Sequence, residues 1–233
     1  MHLIKWEHNR KVKWALLIAL VFHVVGFVGI VWIDQPGFVA MTPYNLLLSL
    51  VLIFWTHDKI NLPFFIFFLV AFQTGFFTEY LGVNRQLLFG FYQYEEALGP
   101  KLYGVPFLIG VNWFMIVYCC AATVRLLLDF IWTNFIKQSI PYGAFIFNLM
   151  IVVFGAFMAM SFDWVMEPVA IKLGYWTWLR DGAVPVKNYW DWFFVSAFLI
   201  LIFINIGIYR KNLFAFHLLW IQSLFFISLR FLL

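Results

Sequence analysis

Long apolar stretches alternate with short polar connections along this chain of 233 residues. Runs of roughly 20 apolar residues, the length that crosses the hydrocarbon core of a bilayer, can be drawn about seven times. Pro43 interrupts the second run, which is tolerated when neighbouring helices satisfy the backbone groups that proline leaves free. The pattern predicts an all-α, polytopic membrane helix bundle of about seven transmembrane helices, forming a single integral membrane domain over residues 1–233. The predicted spans are 14–33, 38–56, 62–81, 104–127, 141–162, 189–209 and 213–231.

The composition agrees with this pattern and excludes several classes of protein. Hydrophobic residues make up 65% of the chain and charged residues 11%, against about 25% charged in soluble domains. Although the formal charge is +4, the basic residues form no stripe that could follow a phosphate backbone, so we expect no nucleic-acid partner. Nucleotide, dinucleotide and metal-binding motifs are missing from the sequence, so we expect neither a cofactor nor a metal.

Two polar segments interrupt the apolar pattern, and they match each other at fixed offsets. We call residues 79–113 the first motif and residues 163–192 the second motif. Each has a carboxylate followed by an aromatic residue, a glycine eleven residues later that opens an aromatic cluster, then Val-Pro, and then a polar residue before Trp-Phe. Only the gap between the glycine and the proline differs, at sixteen residues in the first motif and eleven in the second. This similarity predicts an internal parallel repeat of helix, motif loop and helix, at about 62–127 and 141–209. The matched positions are Glu79 and Asp163, Gly90 and Gly174, Pro106 and Pro185, Asn112 and Asp191, and Trp113 and Trp192.

Basic residues at the ends of the spans indicate how the chain is oriented. With the amino terminus in the cytoplasm, nine of the 15 basic residues lie on the cytoplasmic side, as the positive-inside rule favours. This orientation predicts a multi-pass protein of the cell membrane with both motif loops on the non-cytoplasmic side. The nine are Lys5, Arg10, Lys11, Lys13, Lys59, Arg125, Lys137, Arg210 and Lys211.

Four carboxylates are the candidate catalytic residues. Glu79 and Asp163 stand at matching helix ends, which predicts a shared cavity. Asp191 is the strongest single candidate, because at about 1.5 Å per residue it lies roughly 9 Å deeper than Pro185, where an acid must face protein or water. Glu167 follows Asp163 by one turn, and Pro168 is expected to limit the helix there. Two carboxylates so close should leave one protonated near neutral pH, as a general acid requires.

Polar and aromatic side chains of the motifs are the candidate substrate-binding residues. Asn112 has the same depth below its proline as Asp191. The aromatic residues could equally form an interfacial belt, which is the simpler interpretation for Tyr103 and Trp178. His23 is costly in an apolar span unless it has a partner, so it is also a candidate, with a hydrogen bond to a neighbouring helix as the alternative. The full set is His23, Asn84, Tyr92, Tyr94, Asn112, Trp113, Tyr175, Trp176 and Trp192.

These stretches resemble a family of bacterial and archaeal carotenoid biosynthesis membrane proteins, the carotenoid 1,2-hydratases that include bisanhydrobacterioruberin hydratase and gamma-carotene 1'-hydroxylase. The resemblance is carried by FGFYQYEEALGPKLYGVP at 89–106, by DWVMEPVAIKLGYWTW at 163–178 and more weakly by HVVGFVG at 23–29. It implies a hydro-lyase of the lipid bilayer that needs no cofactor. Such an enzyme adds water to the terminal double bond of an acyclic, or psi, carotenoid such as lycopene or gamma-carotene.

The candidate residues suit the chemistry that the resemblance implies. A buried carboxylic acid among the four candidates protonates the alkene and creates a tertiary carbocation, and water then captures the cation. Aromatic faces stabilise such a cation by about 2 kcal/mol or more where water is excluded.

Two alternatives remain at this stage. Membrane lycopene cyclases are similar in size, in repeated helices and in starting with a protonation, but their repeat resembles a Pro-x-Glu-Glu run. The four residues starting at Pro106 and at Pro185 lack both carboxylates. The other alternative is a non-enzymatic carrier of carotenoid or lipid, which predicts that product formation does not depend on Asp163 or Asp191.

Overall fold

The computed structural model describes residues 10–58, 60–136, 145–180, 182–208 and 212–233. Lys5, Lys59, Lys137, Arg210 and Lys211, which contribute to the predicted orientation, lie outside these residues. Six of the described helices are long and apolar enough to cross a membrane, which confirms the predicted all-α, multi-pass bundle. The helices are α1 Arg10–Val28, which continues as a π-helical turn Gly29–Ile33, α2 Gln35–Ala40, α3 Thr42–Thr56, α4 Leu62–Arg85, α5 Phe107–Ile131, α6 Phe145–Lys172, α7 Val186–Ile206 and α8 Leu213–Leu232.

The second predicted span, 38–56, is divided between α2 and α3 at Met41. Pro43 lies in the first turn of α3, where its missing N–H has no intrahelical partner to lose, so it starts a helix instead of interrupting one. The 15 residues of α3 extend about 22 Å, less than the hydrocarbon core of about 30 Å. The span is therefore a shorter apolar helix beside six long ones.

Hydrogen bonds at the two ends of α3 join it to the second motif and to the middle of α5. At its start, the Thr42 hydroxyl lies 2.7 Å from the Tyr175 hydroxyl in the second motif. Directly after its end, His57 Nδ1 lies 2.8 Å from the hydroxyl of Tyr118, halfway along α5. Asn212, which caps the start of α8, also donates to Tyr118, at 3.1 Å.

Helix α5 is the central helix of the bundle. It contacts α3, α4, α6, α7 and α8, and most of its side chains are buried, as expected for a helix that is apolar on all faces. Cys119 and Cys120 are buried in it as free thiols.

Two short strands connect the two halves of the repeat. Strand β1, Tyr92–Tyr94, pairs antiparallel with β4, Trp176–Trp178, with Gln93 opposite Thr177. Both motif loops therefore lie on the same side of the bundle, as predicted. A second pair, β2 Lys101–Leu102 and β3 Val105–Pro106, forms a tight hairpin within the first motif.

The strand pair and one pair of indole rings define an approximate twofold axis between the halves. The repeat matches Tyr92 with Trp176 and Tyr94 with Trp178. In the antiparallel pair Tyr92 faces Trp178 and Tyr94 faces Trp176, as a twofold axis between Gln93 and Thr177 requires. The matched rings of Trp113 and Trp192 stack on each other, with centroids 3.8 Å apart and planes 10° apart. The halves α4–β1–α5 and α6–β4–α7 are thus related like the parallel repeats of some transporters.

Helix α6 corrects the expectation that Pro168 limits the helix at Glu167, because it continues through this proline to Lys172. Proline cannot donate a hydrogen bond to the carbonyl four residues earlier, which belongs to Trp164. Arg230 of α8 supplies a replacement, since its Nη1 lies 3.4 Å from that carbonyl oxygen. Its guanidinium also lies 4.5 Å from the centroid of the Trp164 ring. Glu167 therefore stays helical, one turn after Asp163.

Candidate active site

Three buried carboxyl groups line one cavity beneath the pair β1–β4. Glu79 is 4% exposed, Asp163 1% and Glu167 3%. None of the ion pairs formed within the described residues involves them. The lining residues are Glu79, Phe89, Tyr92, Tyr94, Ile109, Asn112, Trp113, Asp163, Met166, Glu167, Trp176, Trp178, Asn188 and Trp192.

Helical periodicity brings the carboxyl groups to this cavity. Residues four apart share one face of a helix, and in α4 and α6 a stripe of buried, mostly small residues leads to the acids. Small side chains let neighbouring helices approach closely in a membrane bundle. The stripes are Phe67, Ala71, Gly75 and Glu79 in α4, and Gly155, Ala159, Asp163 and Glu167 in α6.

Glu79 is held by three donors. The hydroxyls of Tyr92 and Tyr94 both donate to its Oε2, the second at 2.7 Å, and the indole of Trp113 donates to Oε1 at 2.9 Å. Gly82 makes the approach of Tyr92 possible, because a Cβ at this position would lie 2.5 Å from the hydroxyl oxygen. Both oxygens of Glu79 are therefore engaged by the protein.

The two tyrosine hydroxyls lie in the motif loop and keep their protons. Burial, followed by the negative charge of Glu79, holds the pKa of Tyr92 well above its usual range. The same two causes raise the pKa of Tyr94. Both residues remain hydrogen-bond donors to Glu79 at any pH near neutral.

The second half of the repeat supplies fewer donors to its acids. The indoles of Trp176 and Trp178 donate to Glu167 Oε2, at 3.0 and 3.1 Å. Asp163 accepts one hydrogen bond, from Asn188 Nδ2 to Oδ2 at 2.7 Å. Among the described residues, Glu167 Oε1 and Asp163 Oδ1 have no donor.

The cavity has room for about one water molecule. The centre of a water molecule can occupy about 20 Å³ within it. A site of more than about 10–15 Å³ by this measure holds a water when polar partners are available. Asn112 lines the cavity, and its amide makes no hydrogen bond with other residues in the described ranges. The stacked rings of Trp113 and Trp192 form part of its wall.

Two of the predicted site residues hold the first motif in place and do not line the cavity. Asp191 forms an ion pair with Lys187 on the same helix and accepts the backbone N–H of Phe89 at 2.6 Å. Asn84 donates to the carbonyl of Tyr103 at 2.8 Å. These contacts suit roles in positioning the motif loop.

Tyr175 and His23 also lie away from the cavity lining. The Tyr175 hydroxyl is bonded to Thr42 of α3, and burial raises its pKa to about 12. His23 in α1 lies with its Nδ1 2.7 Å from the carbonyl oxygen of Ala19, one turn earlier. This hydrogen bond lies within α1, and not between α1 and a neighbouring helix as the alternative for His23 expected.

Several residues that line the cavity were not among the predicted site residues. Asn188 continues a buried stripe with Trp192 and Ser196, each four residues apart, and this spacing was the available signal. Asp191 belongs to the adjacent face of α7 and does not line the cavity. The face of the helix therefore predicts which residues line the cavity better than the depth below the proline does. Trp178 is 5% exposed and donates to Glu167, so the interfacial-belt interpretation for it is wrong. Trp178 could have been predicted from its spacing, because side chains two residues apart on a strand point to the same side, and Trp176 was already a candidate.

Comparison with known proteins gives one match. A family model described as "Carotenoid biosynthesis protein" matches residues 39–230. No curated protein matches the chain, and no solved structure does.

Proposed function

This chain belongs to the carotenoid biosynthesis protein family, and we propose that it is a hydratase that adds water to the terminal double bond of an acyclic carotenoid. One observation carries the proposal: three buried carboxyl groups surround a cavity with room for water. None of the three forms an ion pair with a Lys, Arg or His among the described residues. Protonating an alkene requires an acid, and forming an alcohol from the resulting cation requires water at the same place.

Asp163 is the proton donor in this proposal. Three carboxylates around one small cavity repel each other, so at least one retains a proton. Glu79 accepts three hydrogen bonds and is the group best suited to remain ionised. Asp163 accepts only one, and its second oxygen is free to carry a proton towards the substrate.

Protonation of the less substituted carbon of the terminal alkene leaves a tertiary cation. The ionised Glu79 and the aromatic faces of the Trp113–Trp192 stack stabilise this charge, each aromatic face by about 2 kcal/mol or more where water is excluded. Water then forms the new C–O bond. Glu167 accepts the proton that the attacking water loses and returns it to Asp163, one helical turn away, so no oxidant or cofactor is consumed.

The substrate end group is larger than the water-sized cavity, so its entry requires side chains to move. Met166 is the lining residue best suited to this, because its unbranched side chain adapts to irregular space. Apolar contacts from Phe89 and Ile109 complete a pocket for the methyl groups of the end group. The polyene chain extends from this pocket between helices and lipid.

The proposed setting is the cell membrane, with the amino terminus in the cytoplasm. In this proposal α2 and α3 together form the second of seven alternating helices, and the cavity lies near the non-cytoplasmic surface. Labelling of a single cysteine introduced at exposed Tyr103 by a membrane-impermeant reagent in intact cells tests this orientation.

The function is tested by expressing the chain in bacteria that accumulate lycopene or gamma-carotene and analysing the extracted pigment. We expect a mass gain of one water with an unchanged chromophore. Asp163→Asn, which keeps the shape of the side chain, should lower alcohol formation about 100-fold or more, the scale of general acid catalysis. The pigment that copurifies with the variant should be unchanged.

The alternatives give different results in the same experiment. An unchanged mass with a shortened chromophore would establish a cyclase. Pigment bound equally by both proteins, with no new product from either, would instead support a carrier.

A further inference from the structure

Asn188 distinguishes the second half of the repeat from the first at the cavity. Among the described residues, it is the only one whose side chain is hydrogen-bonded to Asp163, and it is 2% exposed. The matched position in the first half, also three residues after the Val-Pro proline, is Ile109, which lines the cavity too. The two halves therefore place an amide on one side of the cavity and a hydrocarbon side chain at the corresponding position on the other.

The NH2 group of the Asn188 amide makes a hydrogen bond, and the amide oxygen makes none with the described residues. Its Nδ2 donates to Asp163 Oδ2 at 2.7 Å. Its Oδ1 has no hydrogen-bond partner within the described ranges, and this oxygen is an acceptor with two lone pairs. A water that donates to Asn188 Oδ1 lies beside the carboxyl group of Asp163 and keeps a lone pair available for attack.

We propose that Asn188 is the positioning residue for the attacking water, and that this contact decides whether the cation becomes an alcohol or returns to an alkene. The inference rests on the proposed hydratase function and deepens it. Ile109 offers no such contact, so the water is held on the side of the second half.

The two fates of the cation differ in bonds and protons. In hydration, the water oxygen forms a C–O bond, and its extra proton passes to a carboxylate, so the net change is the addition of one water. In the return path, a C–H bond next to the cationic carbon, other than the bond just formed, breaks. Its electrons form a double bond, and the proton goes to one of the carboxylates of the cavity. In D₂O the first protonation delivers deuterium, so the return path leaves deuterium in an unhydrated carotenoid.

The test uses the full-length protein in liposomes with lycopene in D₂O, and mass spectrometry of both products. Asn188→Leu removes the amide with little change in volume. We expect the ratio of alcohol to deuterated alkene to fall about tenfold or more, as when one hydrogen bond to a reacting group is lost. The summed amount of both products should stay within about threefold, because Asp163 still protonates the substrate.

Two further variants make this experiment specific. Asn188→Gln keeps both groups of the amide and adds no charge beside Asp163, so its ratio should fall less than that of Asn188→Leu. Ser196→Ala, about two turns deeper on the same buried face of α7 and outside the cavity lining, is the matched control and should leave both products unchanged. The ratio is measured within each sample, so it does not depend on how much protein folds; Asn188→Ala replaces the leucine variant if that one does not accumulate.

A proportional loss of alcohol and deuterated alkene in the Asn188 variants would overturn the inference, because Asn188 would then act only through the acidity or placement of Asp163. An unchanged ratio would overturn it as well. Failure of the wild-type protein to form any alcohol would instead reject the hydratase function itself.

Discussion

The two halves of the repeat hold a carboxylate in the same way but with different chemical groups. In each, two aromatic residues of a three-residue strand, separated by one position, donate to a glutamate on the preceding helix. The first half uses the hydroxyls of Tyr92 and Tyr94 for Glu79, and the second half uses the indoles of Trp176 and Trp178 for Glu167. A hydroxyl donates and accepts, whereas an indole only donates. The common backbone therefore carries two chemically different carboxylate sites.

The halves also differ in the number of acids. Glu79 lies six residues before the last residue of α4, Arg85, and Glu167 lies five before the last residue of α6, Lys172. Asp163 lies nine before the end of α6, about one turn deeper. By its partners and its place on the helix, Glu167 is the counterpart of Glu79, and Asp163 is an additional acid. The proposed proton donor is thus the acid that only one half contains.

Replacing each glutamate by glutamine should produce the largest contrast between the halves. Glu79→Gln removes the charge that faces the cation, so we expect alcohol and deuterated alkene to fall together by about 100-fold. Glu167→Gln should lower the alcohol about tenfold and raise the share of deuterated alkene, since it removes the acceptor for the proton of the water. The assay in D₂O measures both products.

If both variants changed the amounts of alcohol and deuterated alkene in the same way, the different roles proposed for Glu79 and Glu167 would be contradicted. Thermal unfolding of each variant in the same detergent is the control for a structural effect. In Glu167→Gln the amide oxygen still accepts from both indoles, so the apparent melting temperature should change little. In Glu79→Gln the amide oxygen can accept from Tyr92 and Tyr94, but the NH2 group then faces the Trp113 N–H, so we expect a loss of about 1–3 kcal/mol of stability.

The fixed offsets between the motifs predicted that two acids share a cavity, and the structure brings Glu79 and Asp163 together. The same offsets matched Glu79 with Asp163, although Glu167 is the counterpart of Glu79 in the structure. The offset is the number of residues to the glycine, and it does not take into account where α4 and α6 end. Helix α6 passes through Pro168, and Arg230, 62 residues later, bonds the Trp164 carbonyl that the proline leaves without a donor. That long-range contact has no local signal in the sequence. Hydropathy likewise indicated the second span but not its division at Met41.

The matched glycines should differ in their tolerance of a side chain. Gly90 has φ +148°, and a Cβ there would lie 2.8 Å from Pro185 and 2.9 Å from Trp178. Gly174 has φ +69°, with no atom within 4 Å of a Cβ. Gly90→Ala should cost about 3 kcal/mol of stability, from backbone strain and from contact with both neighbours. Gly174→Ala should cost about 1 kcal/mol, from backbone strain alone.

Chemical unfolding followed by tryptophan fluorescence compares the two alanine variants. Equal losses would mean that the contact of Gly90 with Pro185 and Trp178 relaxes without cost. A larger loss for Gly174→Ala would contradict the geometry of the second motif.

The smallest contrast concerns Asn112 and Asp191. The two residues occupy matched positions of the repeat, but only Asn112 lines the cavity. Asn112 lines the cavity from the central helix, so Asn112→Leu should lower alcohol formation about tenfold by removing a polar partner of the bound water. Asp191 pairs with Lys187, whose side chain is 50% exposed, and such a pair contributes at most about 1 kcal/mol. Asp191→Asn keeps an acceptor for the Phe89 N–H, so product should stay within about threefold of the wild-type amount. A loss in Asp191→Asn as large as in Asp163→Asn would instead make depth below the proline, and not helical face, the property that selects the catalytic acid.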